Sequence, residues 1–65
     1  MVDINKIETL RKQHGYTQEG LATLMGYGSK STYNCKVKGV RQFTVEDVAK
    51  LCNIFQLEPN DLIQW

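Results

Sequence analysis

The sequence has no stretch that is long and apolar enough to cross a membrane, for which about 18 consecutive apolar residues are needed. Its first residues, 1–6, also lack the basic and the apolar segments of a secretory signal. A chain of 65 residues has room for one domain with a single modest core. We therefore expect a soluble cytoplasmic protein with one domain over residues 1–65.

Side chains that could carry catalysis or bind metal are scarce. The two cysteines, Cys35 and Cys52, form no CxxC pair, and His14 is the single histidine. This set supports neither a zinc site nor a disulfide framework. The sequence also has no GxxxxGK phosphate loop, and His14 has no cysteine or serine partner at a recognisable spacing. We expect no enzyme activity, no metal, no cofactor and no small-molecule substrate.

Acidic residues are absent from the middle of the chain. Residues 20–45 contain no Asp or Glu, although the whole chain has a formal net charge of only +1. The same segment holds four basic residues, Lys30, Lys36, Lys38 and Arg41. A basic run is more often a solvated face than a nucleic-acid site. The charge pattern alone therefore only suggests a polyanionic partner.

Signals for β-strands are almost absent, since the sequence has neither sustained alternation nor an Asn-Gly or Asp-Gly hairpin pair. Apolar residues at helical spacing predict an all-α fold instead. Helix one begins near Ile4 and ends at Gly15, which can adopt the left-handed backbone conformation. Helix two begins after Thr17, a suitable N-cap, and ends at Gly26.

The segment GYGSKST at residues 26–32 connects helix two to a third helix. This helix begins at Ser29 or Ser31, either of which can cap it, and runs to Lys38. A short connection that contains glycine, placed between two helices, is what a helix-turn-helix motif requires. We place that motif at about residues 17–38.

Two further helices complete the predicted fold. Thr44, with Asp47 three residues later, predicts the start of a well-buried fourth helix over about 45–55. Pro59 suits the first turn of a short fifth helix that carries Leu62 and Ile63.

A series of short motifs follows one another along the chain: LR at 10–11, GYTQEGLA at 15–22, MG at 25–26, STY at 31–33, KG at 38–39, FT at 43–44, VAKL at 48–51 and LCNIFQLEPNDLI at 51–63. Together they resemble the Cro and phage-repressor type of helix-turn-helix protein over nearly the whole chain. The resemblance implies a compact five-helix domain of the lambda-repressor-like type. Its third helix enters the major groove of double-stranded DNA, usually in a two-fold dimer that regulates phage or prophage promoters.

Helix three can face the core in two ways, because the connection before it is one residue longer than the usual turn of this family. If the extra residue lies in the turn, Tyr33 and Val37 are buried, and the DNA face consists of Lys30, Ser31, Asn34, Cys35 and Lys38. If it lies after the helix, Thr32 and Cys35 are buried, and the outward residues are Ser29, Lys30, Tyr33, Asn34 and Val37. We favour the first arrangement, because burying tyrosine and valine removes more apolar surface from water.

Four residues of helix three are candidates for reading bases. Asn34 can pair with N6 and N7 of adenine, and Lys30 can reach guanine or a phosphate. Both face outward in either arrangement. Ser29 and Ser31 lie at the start of the helix, where a hydroxyl can contact a base, bind a phosphate or cap the helix.

Four other residues are candidates for contacting the phosphates and positioning the domain. Gln18, at the start of helix two, can donate its amide to a phosphate and brace a neighbouring recognition side chain, and Thr17 can cap the helix or bind phosphate. Lys38 and Arg41 flank the end of helix three, where the chain passes the DNA backbone. Lys36 is expected to point sideways from the same helix.

The C-terminal segment is the expected dimer surface, because Leu57, Leu62, Ile63 and Trp65 lie within nine residues. Some of this set must close the domain's own core. We interpret the chain as a Cro-like transcriptional regulator, acting as a homodimer on a DNA operator in a bacterial cell or phage-infected host. The alternatives are the N-terminal DNA-binding domain of a longer repressor, or an antitoxin or protein-interaction adaptor on the same fold.

Overall fold

The computed structural model describes residues 1–63, so Gln64 and Trp65 lie outside the described residues. It has four α-helices, α1 (Ile4–Gln13), α2 (Gln18–Leu24), α3 (Lys30–Val37) and α4 (Val45–Phe55), and then a 3-10 turn at Pro59–Asp61. Within residues 1–63 there is no strand, and the extended pairing is one isolated antiparallel bridge between Val2 and Ile63. The predicted all-α fold is confirmed.

The first two helices begin at side-chain caps. Asp3 Oδ1 accepts a hydrogen bond from the Lys6 amide at 3.1 Å, and Thr17 Oγ1 accepts one from the Gly20 amide at 2.9 Å. Each cap satisfies one of the backbone donors that a helix start leaves unpaired. Gly15 takes a φ of +77° after α1, as its position in the sequence predicted.

The turn between α2 and α3 depends on one of its two glycines. Gly26 has a φ of +80°, and the Tyr27 amide reaches back to the Ala22 carbonyl at 3.0 Å. Together with the bond from the Gly26 amide to Thr23, this closes a Schellman end on α2. Gly28 has no positive φ, and a Cβ there would meet open space. The predicted end of helix two at Gly26 is confirmed.

Helix α3 takes the favoured of the two arrangements. The side chain of Tyr33 is 0% exposed, and Val37 is half-buried against the core. Cys35, which we expected on the exposed face, is half-buried. Its carbonyl accepts hydrogen bonds from the amides of Val40 and Arg41, which follow the helix.

Helix α4 begins with the predicted capping box. Asp47 accepts from the Thr44 amide at 2.8 Å, and Thr44 Oγ1 accepts from the Asp47 amide at 3.1 Å. The predicted fifth α-helix is not formed in the described residues, where Pro59–Asp61 makes a single 3-10 turn. After Leu62, which keeps a helical backbone, the chain pairs with the N-terminal segment: the Asp3 amide bonds to the Leu62 carbonyl at 2.7 Å and Ile63 pairs with Val2. This pairing to the N-terminus ends the helical segment.

The core lies where the four helices meet. Its buried apolar residues come from all four helices and from the C-terminal segment, and they are Ile7, Leu21, Ala22, Met25, Tyr33, Val48, Leu51, Cys52, Phe55 and Leu62. None of the helices in residues 1–63 has the length and apolar character needed to cross a bilayer.

Candidate nucleic-acid interface

The start of α3 is exposed to solvent. Ser29 is the N-cap residue in extended backbone conformation, and its hydroxyl makes no capping bond to the helix. Lys30 and Ser31 follow it and are also exposed. The N-terminus of a helix presents unpaired amide groups and a partial positive charge, both of which favour an anion such as a DNA phosphate. These three predicted residues therefore share one accessible surface.

Asn34 lies one turn further along α3 and contacts the start of α2. Its Nδ2 donates to Gln18 Oε1 at 3.4 Å, so Gln18 braces a recognition-helix side chain as the sequence suggested. Gln18 Nε2 in turn donates to Glu8 Oε1 at 3.2 Å. Each amide nitrogen has a second hydrogen, which leaves both residues able to donate to DNA.

Glu8 on α1 contacts the predicted site residue Gln18, and sequence reasoning missed this contact. Its carboxylate accepts from Arg11 Nε at 2.7 Å and from the Tyr33 hydroxyl at 2.7 Å, in addition to Gln18. Burial alone would raise the pKa of Glu8, but the bonds from Arg11, Tyr33 and Gln18 outweigh burial and lower it. Glu8 is therefore a fixed anion that joins the first three helices.

Thr17 fulfils the capping half of its prediction. The Oγ1 atom accepts the Gly20 amide bond and the residue is exposed, so the hydroxyl hydrogen is still available to a phosphate. A methyl group on Gly20 would come within 3.1 Å of that same oxygen. The small residue at this position therefore keeps the cap accessible.

Lys38 and Arg41 are both exposed at the far end of α3. Gly39 between them has a φ of +83° and turns the chain out of the helix. The amides of Val40 and Arg41 bond to the carbonyl of Cys35 at 2.9 and 3.2 Å, which fixes the turn. The two basic side chains therefore flank a turn that these bonds fix, and both are exposed to solvent.

Lys36 is not on the surface, and the expectation that it points sideways is wrong. It is buried and forms an ion pair with Asp47 of α4. Its ammonium group also lies 5.1 Å from the centre of the Tyr27 ring and 5.9 Å from that of Phe43. The physical reason is helical spacing: Lys36 lies three positions after buried Tyr33 and so shares its inward face.

Asp47 is a second carboxylate that holds α3 in place, and it is buried. It accepts from the Tyr27 hydroxyl at 2.7 Å, from the Thr44 amide and from Lys36. Burial would raise the pKa of Asp47, but these hydrogen bonds lower it to about 2. Residues 20–45, which contain no Asp or Glu, are thus paired with a carboxylate of α4 through Lys36. The other basic residues of this segment, Lys30, Lys38 and Arg41, are exposed.

The comparison with known families agrees with this geometry. A family model described as helix-turn-helix matches residues 7–62. The chain belongs to the Cro and phage-repressor type of helix-turn-helix family. This family consists of DNA-binding transcription regulators rather than enzymes, and the protein is accordingly a DNA-binding regulator with α3 as the second helix of its motif. No curated protein and no solved structure matches the chain.

Lys50 of this helix-turn-helix domain is a further basic residue near the motif that sequence reasoning missed. Its Nζ donates to the Met25 carbonyl at 3.0 Å, at the end of α2. A cation at the C-terminal end of a helix is stabilised by the helix dipole. Because Lys50 is 25 positions from Met25, no local pattern in the sequence predicts this contact.

The predicted dimer residues are distributed over different environments. Leu57 and Ile63 are half-buried and pack against the core, Leu62 is in the core, and Trp65 lies outside the described residues. Ile63 also lines a groove of about 280 Å³ together with Met1, Val2, Phe43, Thr44, Val45, Val48, Ala49 and Pro59. In residues 1–63 of the helix-turn-helix domain, no group of three His, Cys, Asp or Glu side chains is placed to hold a metal ion.

Proposed function

We propose that this helix-turn-helix domain is a sequence-specific repressor of the Cro type, which acts on a phage or prophage operator as a homodimer. The exposed N-terminal turn of α3 beside the Gln18–Asn34 pair is the observation that carries the proposal. Ser29, Lys30, Ser31 and Asn34 read base edges, and Thr17, Gln18, Lys38 and Arg41 bind phosphates.

The division between base reading and positioning follows from where each residue lies. The base-reading residues are in the first turn and a half of α3, the part of a recognition helix that enters the major groove. Lys38 and Arg41 lie at the opposite end of the same helix, with α3 between the two sets. Phosphate contacts on both sides of the helix fix its angle in the groove.

The size of the domain supports a dimer. Its principal dimensions are 29, 24 and 18 Å, so a single copy is shorter than the distance of about 34 Å between major grooves on one DNA face. One α3 helix reads only a few base pairs, and a second copy doubles the discrimination.

The groove lined by Val45 and Ile63 is the surface that we assign to the second copy. Val45 is an apolar side chain with 86% of its surface exposed, on the rim of a mostly apolar groove. The groove also contains Phe43, two residues after Arg41, which we propose to contact phosphate. Exposed apolar surface of this kind marks an interaction site.

The first test is selection of binding sites from a random duplex library at a stated salt concentration. We expect a two-fold symmetric site with half-sites one helical turn apart. Recovery of a single unpaired half-site would contradict the dimer but not sequence-specific DNA binding. Absence of enrichment by the folded protein would contradict sequence-specific binding altogether.

A further inference from the structure

A chain of side-chain hydrogen bonds connects the first three helices. It runs from Glu8 on α1 to Gln18 on α2, over 3.2 Å, and from Gln18 to Asn34 on α3, over 3.4 Å. All three side chains are half-buried. We call this chain the Glu8 relay.

The relay has a direction, because an ionised carboxylate can only accept hydrogen bonds. Glu8 therefore requires the NH₂ group of Gln18 to face it, which turns the Gln18 oxygen toward α3. Only a donor can meet that oxygen, so Asn34 turns its own NH₂ toward Gln18. The Asn34 oxygen and the second amide hydrogen are then presented away from the relay.

Glu8 itself is held firmly at the end of the relay. Arg11 binds it through Nε at 2.7 Å and through a second guanidinium nitrogen at 3.3 Å. The hydroxyl of Tyr33, a core residue of α3, binds it at 2.7 Å. Arg11 binds both oxygens of the carboxylate and Tyr33 binds Oε2, so the carboxylate keeps Oε1 toward Gln18.

We propose that Glu8 is a positioning residue for base reading, which sets the orientation of the Asn34 amide without touching DNA. The proposal rests on the proposed function, since it requires that Asn34 meets a base. Adenine offers a donor at N6 and an acceptor at N7, and a matching amide must present its oxygen and an N–H in one fixed order. A reversed amide places its donor against the N6 donor and loses the pair.

The first test uses the protein without DNA. In Glu8→Gln, position 8 can either donate or accept, so the orientation of Gln18 is no longer imposed. We expect the NMR signals of the side-chain NH₂ groups of both Gln18 and Asn34 to move in this variant. The control is Glu19→Gln, which removes the same charge from an exposed residue beside Gln18 and should move neither signal by a comparable amount.

The second test measures preference at each base pair of the selected operator. A bidentate amide–base pair is worth about 1–3 kcal/mol, or roughly 5- to 150-fold in binding. We expect Asn34→Ala to abolish preference at one base pair and Glu8→Gln to reduce it at the same base pair by about threefold or more. Glu19→Gln should change affinity for all duplexes alike.

The possible results separate the relay from the function on which it rests. If Asn34→Ala abolishes the preference at one base pair and Glu8→Gln leaves that preference intact, the relay is wrong and base reading by Asn34 is right. If Asn34→Ala abolishes the preference at no base pair, both proposals are wrong. If Glu8→Gln does not fold, Gln18→Met replaces it, because this variant interrupts the relay and leaves Glu8 bound to Arg11 and Tyr33. An unchanged preference at the base pair read by Asn34 in Gln18→Met overturns the proposal.

Discussion

Two lysines on α3 show how position decides the role of a charge. Lys36 is enclosed by Asp47 and two aromatic rings, whereas Lys38, two positions later, is exposed at the end of the helix. A buried charge is tolerated only with a partner, and a solvated charge remains available to DNA. The two residues therefore contribute to different properties of the protein.

Replacing Lys36 by methionine should lower the free energy of unfolding by about 3 kcal/mol, because Asp47 is left as a buried charge without its cation. Urea unfolding followed by circular dichroism measures this loss. Lys38→Met is the matched control. It should change stability by less than about 0.5 kcal/mol, but it should weaken binding to all duplexes and lower the log–log salt slope by up to about 1. Equal stability of the two variants would contradict the assignment.

The roles of single residues could be predicted from the sequence only where they depend on near neighbours. Thr17 and Thr44 were recognisable as caps because each bonds to an amide three residues away. Glu8 was not, because its partners Gln18 and Tyr33 are 10 and 25 positions distant. No local pattern contains such a distance, so only the fold brings these groups together.

At the scale of the elements, the connection between α2 and α3 sets how the recognition helix is presented. The left-handed backbone at Gly26 closes the end of α2 and lets the chain reverse within a few residues. Lys50 fixes the same corner by binding the Met25 carbonyl. The orientation of α3 against α2 therefore depends on one backbone conformation and one long-range contact.

Gly26→Ala should destabilise the domain by about 1 kcal/mol or more, because alanine is strained at a φ of +80°. The cost is conformational rather than steric, since the nearest atom to a new Cβ is Lys50 Nζ at 3.7 Å. Gly28→Ala should be neutral or slightly stabilising, within about 0.5 kcal/mol, because that position has open space and no positive φ. Thermal unfolding of the two variants distinguishes them, and equal losses would mean that both glycines are required.

The element boundaries were largely predictable, and the exception has a physical explanation. Caps and left-handed glycines mark the ends of α1, α2 and α3 in the sequence itself. The fifth helix was predicted from Pro59 and the apolar residues after it, but this segment is paired with the N-terminus in the described residues. Local periodicity in the sequence cannot predict a contact between residues as distant as Val2 and Ile63.

On the scale of the whole molecule, one half-buried and one buried carboxylate hold the helices around α3. Glu8 connects α3 to α1 and α2, and Asp47 connects it to α4. Both have a pKa below the ordinary value, because the hydrogen bonds that they accept outweigh the opposing effect of burial. The stability of the domain is therefore coupled to pH in the acid range.

The direction of that coupling follows from the lowered pKa. Folding lowers the pKa of Asp47 from 3.8 to about 2. The stability that its ionised carboxylate contributes is therefore present above pH 3.8 and is lost as the pH falls through about 2. This contribution to the free energy of unfolding is on the order of 2 kcal/mol. Urea midpoints measured between about pH 5 and pH 2 should fall. Asp47→Asn should show a smaller decrease, and an unchanged pH dependence in that variant would contradict the assignment.

The proposed dimer surface gives a prediction for the assembly as a whole. Val45→Glu places an acid at the rim of the groove, and the monomer should fold normally because Val45 is exposed. We expect sedimentation equilibrium to show a monomer. Operator affinity should fall by about 100-fold, because two separate copies no longer bind the two half-sites as one linked unit. Leu24→Glu is the control, since it changes an exposed apolar residue outside the groove. Loss of the dimer in both variants would point to charge rather than to the groove.

In the proposed role of Asn34, its connection to a fixed anion limits how the operator preference can change by mutation. A new side chain at position 34 has to donate to the Gln18 oxygen if the relay is to stay closed. Glutamine, serine or lysine meets that condition, whereas aspartate or glutamate does not. Acquiring an acidic base-reading residue here would therefore require a second change at Gln18 or Glu8, so some new operators are two substitutions away rather than one.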